Sequence, residues 1–480
     1  MEAIGTARDR SRTRPSIFHK QRVIFPIFNL ATFVEYFNVQ FLFASMRGLE
    51  MSLGFSPEML SRFAMVEELS LVSFIPVWGI LSDIYELKYL LGFALFMSGT
   101  LSVVLSLISN YGFMLFIRIL NGATMGSVTP STQKYVVGMK SIDLGLAFGI
   151  LHATMCAARL ICSILITKLA STVFFGIYGW RICSLVFGIF CIMISPLLLL
   201  MPKFHRDLPP DPSDTEKVPL KLRIQKLLKF LYNNLREAFR TTTSKILLVL
   251  IFFSDGPFLT FSFITLYFQY EGLSDLRAGV STGLIIIGGL VGGVIGGFTS
   301  DYLHKRSEKY GRLIFGIVAT AVRMVSLSTA FYAFNRHNVY QFYPILAKLL
   351  FLIGASFATV SCVDRAILAD VVHPRYQSSA IGFCRCIAGI GSSITFAPLL
   401  GILIERVYGY VPITIDLKYV PMELIEKNAY ALRNSIMIVN VGTTFIVLLL
   451  YIVLCFSFGA DAECIREKTR LKEREVSIDL

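Results

Sequence analysis

The sequence predicts an all-α membrane protein of twelve transmembrane helices, arranged as two six-helix pseudo-repeat halves. Three observations point there. Of the 480 residues, 55% are apolar and 16% charged, with 40 Phe, and the mean hydropathy is +0.66, proportions foreign to a water-soluble globule. Apolar runs of about 20 residues, the length that crosses a bilayer, recur along the whole chain. A glycine-to-aspartate pattern at the end of one run returns at the end of another, 218 positions later.

Taken in order, the apolar runs broken by Gly, Pro and charge place spans at about 24–46, 57–81, 89–108, 111–131, 143–167, 180–201, 246–268, 279–300, 313–334, 342–369, 378–404 and 434–458. The chain therefore divides into a basic tail (1–23), a first six-helix half (24–201), a linker (202–245), a second half (246–458) and a charged tail (459–480). Residues 1–22 are basic and polar, so the first span itself is expected to direct insertion, with no cleaved signal peptide. Of nine Cys, only Cys464 lies outside an apolar run. That is neither a disulfide framework nor a zinc pattern, and no cofactor or metal is expected.

Loop charge sets the orientation. The side bearing both termini collects 29 of the 45 Lys and Arg residues and the opposite side 8, which predicts cytoplasmic termini and a cytoplasmic linker. The net charge of +13 is largely this topology signal, and no nucleic-acid partner is implied. Within the linker, Leu222, Leu227, Leu228, Leu231 and Leu235 run at helical spacing against Lys and Arg. Such a helix would lie on the anionic inner leaflet, making membrane lipid a partner.

The internal repeat is the sharpest signal. Gly79-Ile-Leu-Ser-Asp83 follows the second span and Gly297-Phe-Thr-Ser-Asp301 the eighth, each where an apolar helix meets a basic loop. A glycine there lets a neighbouring helix approach, and the acid can cap a helix N-terminus or pair with a loop cation. With this pattern the chain resembles the major facilitator superfamily, over nearly its whole length. Gly79, Asp83 and Lys88 fit the first copy of the family's loop, although Ile84 and Glu86 depart from it; Gly297, Asp301, Lys305, Gly311 and Arg312 fit the second. The resemblance implies that these loops gate the cytoplasmic side, the second more firmly than the first. Arg118-Ile-Leu-Asn-Gly122 in the fourth span is a further family element.

Asn29, Glu35, Pro76-Val-Trp-Gly79, Lys88-Tyr89-Leu90 and Arg118 look like the spinster-like lipid-solute transporters, while Tyr36 and Gly126 depart from that pattern. The fifth span lacks the Gly-Pro motif of drug/proton antiporters, and the residues after Met201 lack the acidic-Pro-Arg motif of sugar porters.

Charges inside the bilayer carry the remaining chemistry, because each is costly unless paired or wetted. In the fold that the resemblance implies, spans 1, 4, 7 and 10 line the cavity. Glu35, Arg118, Asp255 and Lys348 fall on them and suggest two sets, Glu35 with Arg118 and Asp255 with Lys348, each either a coupling-proton site or a structural pair. His152 and Arg159 share one face of span five and Arg385 enters from span eleven. Counting Glu35 and Asp255 against Arg118, Arg159, Lys348 and Arg385 leaves an excess of two positive charges. That favours an anionic or zwitterionic small organic solute. Glu67, Glu68, Asp364, Arg365 and Asp370 are candidate gate contacts, and the glycine rows 288/292/296 and 289/293/297 of span eight favour close helix packing, with sliding between the halves as a further role.

No phosphate loop, metal cluster or nucleophile elbow is present, so an enzyme is not expected. The expected function is secondary active transport by a monomer, driven by a proton or substrate gradient. The alternatives are a spinster-like lysolipid carrier and a non-transporting receptor or scaffold with the same fold.

Overall fold

The computed structural model describes residues 15–137, 144–200, 235–334, 336–373 and 377–478, so most of the 202–245 linker and part of the N-terminal tail lie outside the described residues. Fourteen longer helices follow: α1 (Pro15–Leu53), α2 (Pro57–Ile84), α3 (Leu87–Leu107), α4 (Tyr111–Met125), α5 (Val128–Val137), α6 (Leu144–Ala170), α7 (Gly179–Leu199), α8 (Thr242–Thr260), α9 (Ile264–Tyr270), α10 (Asp275–Arg306), α11 (Gly311–Tyr332), α12 (Tyr343–Asp370), α13 (Gln377–Ile402) and α14 (Met422–Ile478). Among the described residues, ten stretches are long and apolar enough to cross a membrane. The α2 helix, carrying Glu58, Arg62, Glu67, Glu68 and Asp83, and the short α4 and α5 are not among them.

Local chemistry sets the helix ends. Ser56, Asn110 and Ser274 cap α2, α4 and α10 by accepting from the backbone N–H three residues on, which satisfies a donor the helix cannot pair itself. Between α6 and α7 a hairpin pairs Val173–Phe174 with Ile177–Tyr178. Its two-residue turn puts both Phe175 (φ 52°) and Gly176 (φ 81°) in the left-handed region, as the twist of a tight hairpin requires.

The expected span 111–131 is corrected: it ends as α4 at Met125 and resumes as α5 at Val128. At the break, Gly126 sits against the α2 backbone, where a Cβ would meet the Leu71 carbonyl at 2.8 Å. The 459–480 segment continues α14 without interruption to Ile478.

Among the N-terminal helices (α1–α7), α1 packs on α6, α2 on α4 and α3 on α7; among the C-terminal helices (α8–α14), α10 packs on α12, α8 on α13 and α14, and α11 on α12 and α14. The two sets meet through α2 with α13 and α6 with α10. The face carrying the α1–α2, α9–α10 and α13–α14 connections is called the far face, and the one where α1 begins and α14 ends the tail face. One large apolar core joins both sets toward the far face, including Leu42 and Met46 of α1, Tyr267 and Phe268 of α9 and Leu432 of α14. Toward the tail face each set has its own core, around Leu91, Tyr135 and Leu198 in the first and Leu313, Val363 and Tyr451 in the second. The two sets therefore share one core on the far side and have separate cores below it.

Candidate functional site

A cavity of about 230 Å³ lies between the two sets, lined from α1, α6, the α8–α9 segment, α10 and α12. Its walls are mostly apolar, with Phe43, Phe258, Phe261 and Phe357 prominent, and its polar groups are Gln40, His152, Arg159, Ser262 and Thr282. The α8–α9 wall is irregular: Pro257 lies inside α8 and Phe261–Phe263 forms a 3-10 turn before α9. Proline removes a helical hydrogen bond, and unwound backbone at membrane depth is tolerated where it lines a cavity. Arg159 spans the sets, its guanidinium carbon 5.1 Å from the Tyr36 ring of α1 and 4.9 Å from the Phe258 ring of α8.

Around this cavity, Glu35, Glu68 and Asp255 feel the charges of Arg159, Arg385 and Arg365. Among the described residues none of these six closes an ion pair with another. Glu35 instead accepts from the Thr129 hydroxyl at 2.9 and 3.1 Å. His152 is exposed on the cavity wall, 3.9 Å from Cys156 Sγ.

Both expected pairings are corrected. Arg118 is held by Glu67, with Nη1 donating to both carboxylate oxygens at 3.1 and 3.0 Å. The cause is Gly122, one turn along α4, which lies so close to the α2 backbone at Glu67 that a Cβ would come within 3.1 Å of Ser70 Cβ. Asn38 donates to the same carboxylate and Asn121 donates to Asn38, so Arg118 and Glu67 belong to a closed knot among α1, α2 and α4. Lys348 is exposed and does not meet Asp255. At 1.5 Å per residue it lies roughly 33 Å from the tail-face end of α12, against roughly 20 Å for Asp255 from the start of α8. With Arg118 neutralised, Lys348 elsewhere and Glu68 and Arg365 added, three acids face three bases, and the expected positive excess disappears.

At the far face the sets are bolted together. Arg47 of α1 donates to Glu50 (2.7 Å), Tyr270 (3.1 Å) and the carbonyls of Ile413 (2.9 Å) and Ile415 (2.8 Å). Glu50 accepts from Tyr270, Tyr410 and the Ile413 N–H. Arg47 and Glu50 are 4% and 1% exposed, so this charge pair works out of water, where such bonds are strongest and most costly to break. Arg406 forks onto Glu58 at 3.0 and 2.9 Å beside it. Neither Arg47 nor Glu50 was marked by the sequence reading; their spacing of three on one helix was the available signal.

At the tail face, Arg312 bridges Asp301 (2.9 Å) and Asp370, all within the C-terminal set. Gly311 abuts the α10 backbone at Leu303, and Lys305 is exposed. In the first copy, Lys88 lies 5.0 Å from the Tyr89 ring, and among the described residues none comes within 4 Å of where a Cβ on Gly79 would stand. The Asp83 side chain lies outside the described residues. Of the other expected gate contacts, Asp364 accepts from Tyr451 inside the C-terminal set, and Glu67 belongs to the Arg118 knot.

The glycine row 288/292/296 packs on α12 at Phe351, Ala355 and Thr359, within one set, so it is not a sliding surface between halves. Across the sets the close approaches include Gly279 and Gly283 against Ser163 and Leu160 of α6, and Gly401 of α13 against Glu58 and Ser61 of α2. The nine cysteines are free.

The fold and cavity define a multi-pass membrane protein built around a central site between two helix sets. The sequence profile of the Major Facilitator Superfamily matches residues 28–396, and the chain belongs to that superfamily. An uncharacterized transporter of Buchnera aphidicola (subsp. Schizaphis graminum) is 26% identical over 194 residues, a match that spans 39% of this chain and 40% of that relative. Among solved structures, a bacterial homologue of the human lysosomal transporter Spinster, inward-facing and unoccupied, gives a TM-score of 0.72 at 15% identity, covering 92% of this chain and 98% of that one. A D-xylose-proton symporter gives 0.63 at 14% identity, over 88% and 96%. At these identities the structural likeness speaks to the fold.

Proposed function

We propose that the protein is a secondary active transporter that moves a small organic solute, anionic or zwitterionic, by alternating access, coupled to a proton or substrate gradient. In this reading α2 and α4–α5 complete twelve crossings in two six-helix halves, with both termini cytoplasmic. The observation that carries it is the cavity shared by both helix sets, with Arg159 on its wall and a surrounding group of charges among which, in the described residues, no ion pair closes. A purely structural use of such groups would pair them, as Arg118 and Glu67 are paired, because an unpaired intramembrane charge is expensive. The same contrast argues against a receptor or scaffold that no longer cycles. The far-face bolt and the separate tail-side cores describe the state closed on the far side. The balance of three acids with three bases favours the zwitterionic end of the solute range, with Arg159 taking the acidic group and the phenylalanine walls an apolar body.

The apolar walls also favour a second reading, a spinster-like lysolipid carrier. One experiment separates the readings: purified protein in liposomes, offered labelled amino acids, organic acids and lysophospholipids with and without a pH gradient. Uptake of a polar zwitterion or anion supports the first, uptake restricted to lysolipid the second, and no uptake or exchange of any class contradicts transport.

A further inference from the structure

Behind the cavity wall, in the C-terminal set, lies a second buried charge system in which a cation and an acid stand side by side without pairing. Arg323 of α11 is 0% exposed, and among the described residues Nε, Nη1 and Nη2 have no hydrogen-bond partner. Its guanidinium carbon lies 4.5 Å from the centroid of Phe357, the ring whose neighbourhood forms the α12 wall of the cavity. Asp364, two turns further along α12 and 3% exposed, is the natural counterion, yet its Oδ1 is taken by the Tyr451 hydroxyl of α14. Room for that phenol is made by Gly316 of α11, where a Cβ would come within 2.6 Å of the Tyr451 ring. The charged and titratable groups facing Asp364 are Tyr451 from α14, Arg323 from α11, Asp255 from α8 and its own neighbour Arg365, with Arg385 of α13 facing Arg365 in turn. The α10 helix meets α12 here through glycines.

A buried guanidinium and carboxylate normally gain by closing on one another, since each otherwise carries an unrepaid desolvation cost. Here the carboxylate is held by a neutral phenol and kept off the cation. Such a carboxyl can exchange a proton without first breaking a salt bridge, and the phenol can serve either state, donating to the anion or to the carbonyl oxygen of the acid. The proton adds to the carboxylate and leaves Arg323 as a cation without compensation, one ring's thickness from the cavity. A buried cation in that position raises the demand for negative charge in the cavity, so the two binding events reinforce each other, as linkage requires.

We propose that Asp364, held by Tyr451 and set beside Arg323, is a proton-binding site of the C-terminal helices, distinct from Glu35, whose occupation favours an acidic group in the cavity. Its use in coupling rests on the transporter reading; the site itself does not, and its test needs no solute. The test is pH-difference infrared spectroscopy of the purified full-length protein in lipid, where the C=O stretch of a protonated carboxyl stands apart from carboxylate. One titrating component should be lost in Asp364→Asn and kept in Glu35→Gln. In Tyr451→Phe, which preserves the ring packing, that same component should persist at a shifted frequency. If Asp364→Asn fails to fold, Tyr451→Phe carries the test. A carboxylic-acid spectrum unchanged in either variant overturns the proposal.

Discussion

Arg118 and Arg323 are both sealed from solvent, at 3% and 0% exposure, and the molecule treats them in opposite ways. Arg118 closes on both oxygens of Glu67, which Asn38 also supports. Arg323 stacks on Phe357 but has no hydrogen-bond partner among the described residues, while the acid beside it is held by a phenol. The closed pair ties α2 to α4 and leaves no group free to bind or release anything. The open pair gains less stability and keeps two reactive groups. The cavity ring of Glu35, Glu68, Asp255, Arg159, Arg365 and Arg385 resembles the open case, and the far-face bolt of Arg47 and Glu50 the closed one. In the transporter reading, whether a buried charge is closed or open separates fasteners from working groups.

The comparison breaks most readily by deleting the two arginines. Arg118→Met strands Glu67 and is expected to cost about 3–5 kcal/mol, seen as a large drop in melting temperature of the purified protein and in yield, largely recovered by Arg118→Met with Glu67→Met. Arg323→Met removes three unsatisfied donors and leaves Asp364 on its phenol, so its melting temperature should stay near that of the parent. Equal losses for the two would remove the distinction.

Next in size is Glu35→Gln, expected to abolish gradient-driven uptake while substrate exchange across the membrane persists at least in part. The amide imitates a permanently protonated acid, and exchange does not require the empty carrier to return. Loss of both modes at normal expression would make Glu35 a structural partner of Thr129 and Arg159 instead.

The smallest effect is expected at the tail face. Asp301→Asn weakens a pair whose acid is 66% exposed, and such pairs contribute about 0–1 kcal/mol. Turnover should change a few-fold and solute affinity hardly at all, with Asp301→Asn exceeding Asp83→Asn. A change confined to affinity would place Asp301 in the binding site rather than at the gate.

What the sequence made legible follows from periodicity and cost. Apolar runs gave most of the helices, and the expense of intramembrane charge marked Glu35, Asp255, Arg159 and Arg385, of which Arg159 lines the cavity and the others belong to the linked group of charges near it. Partner choice was not legible, because it depends on helix contacts and depth. The sequence paired Arg118 with Glu35 and placed Glu67 at the gate, whereas Gly122 sets α4 against α2 at Glu67 and gives Arg118 that carboxylate. Lys348 matched Asp255 in span number but not in height. Arg323 carried no motif at all; its one sequence signal was a lone cation in an otherwise apolar span.

Alternating access itself is tested most directly at Cys156, a native thiol on the cavity wall. In a functional variant keeping only this cysteine, a membrane-impermeant thiol reagent is applied from each side in turn, with and without Glu50→Gln. The parent should label from the tail side, and Glu50→Gln should raise far-side labelling about tenfold, the factor that corresponds to about 1.4 kcal/mol. Far-side labelling that is already equal in the parent, or that stays unchanged when the bolt is cut, would contradict a cavity opened alternately by releasing Arg47 and Glu50.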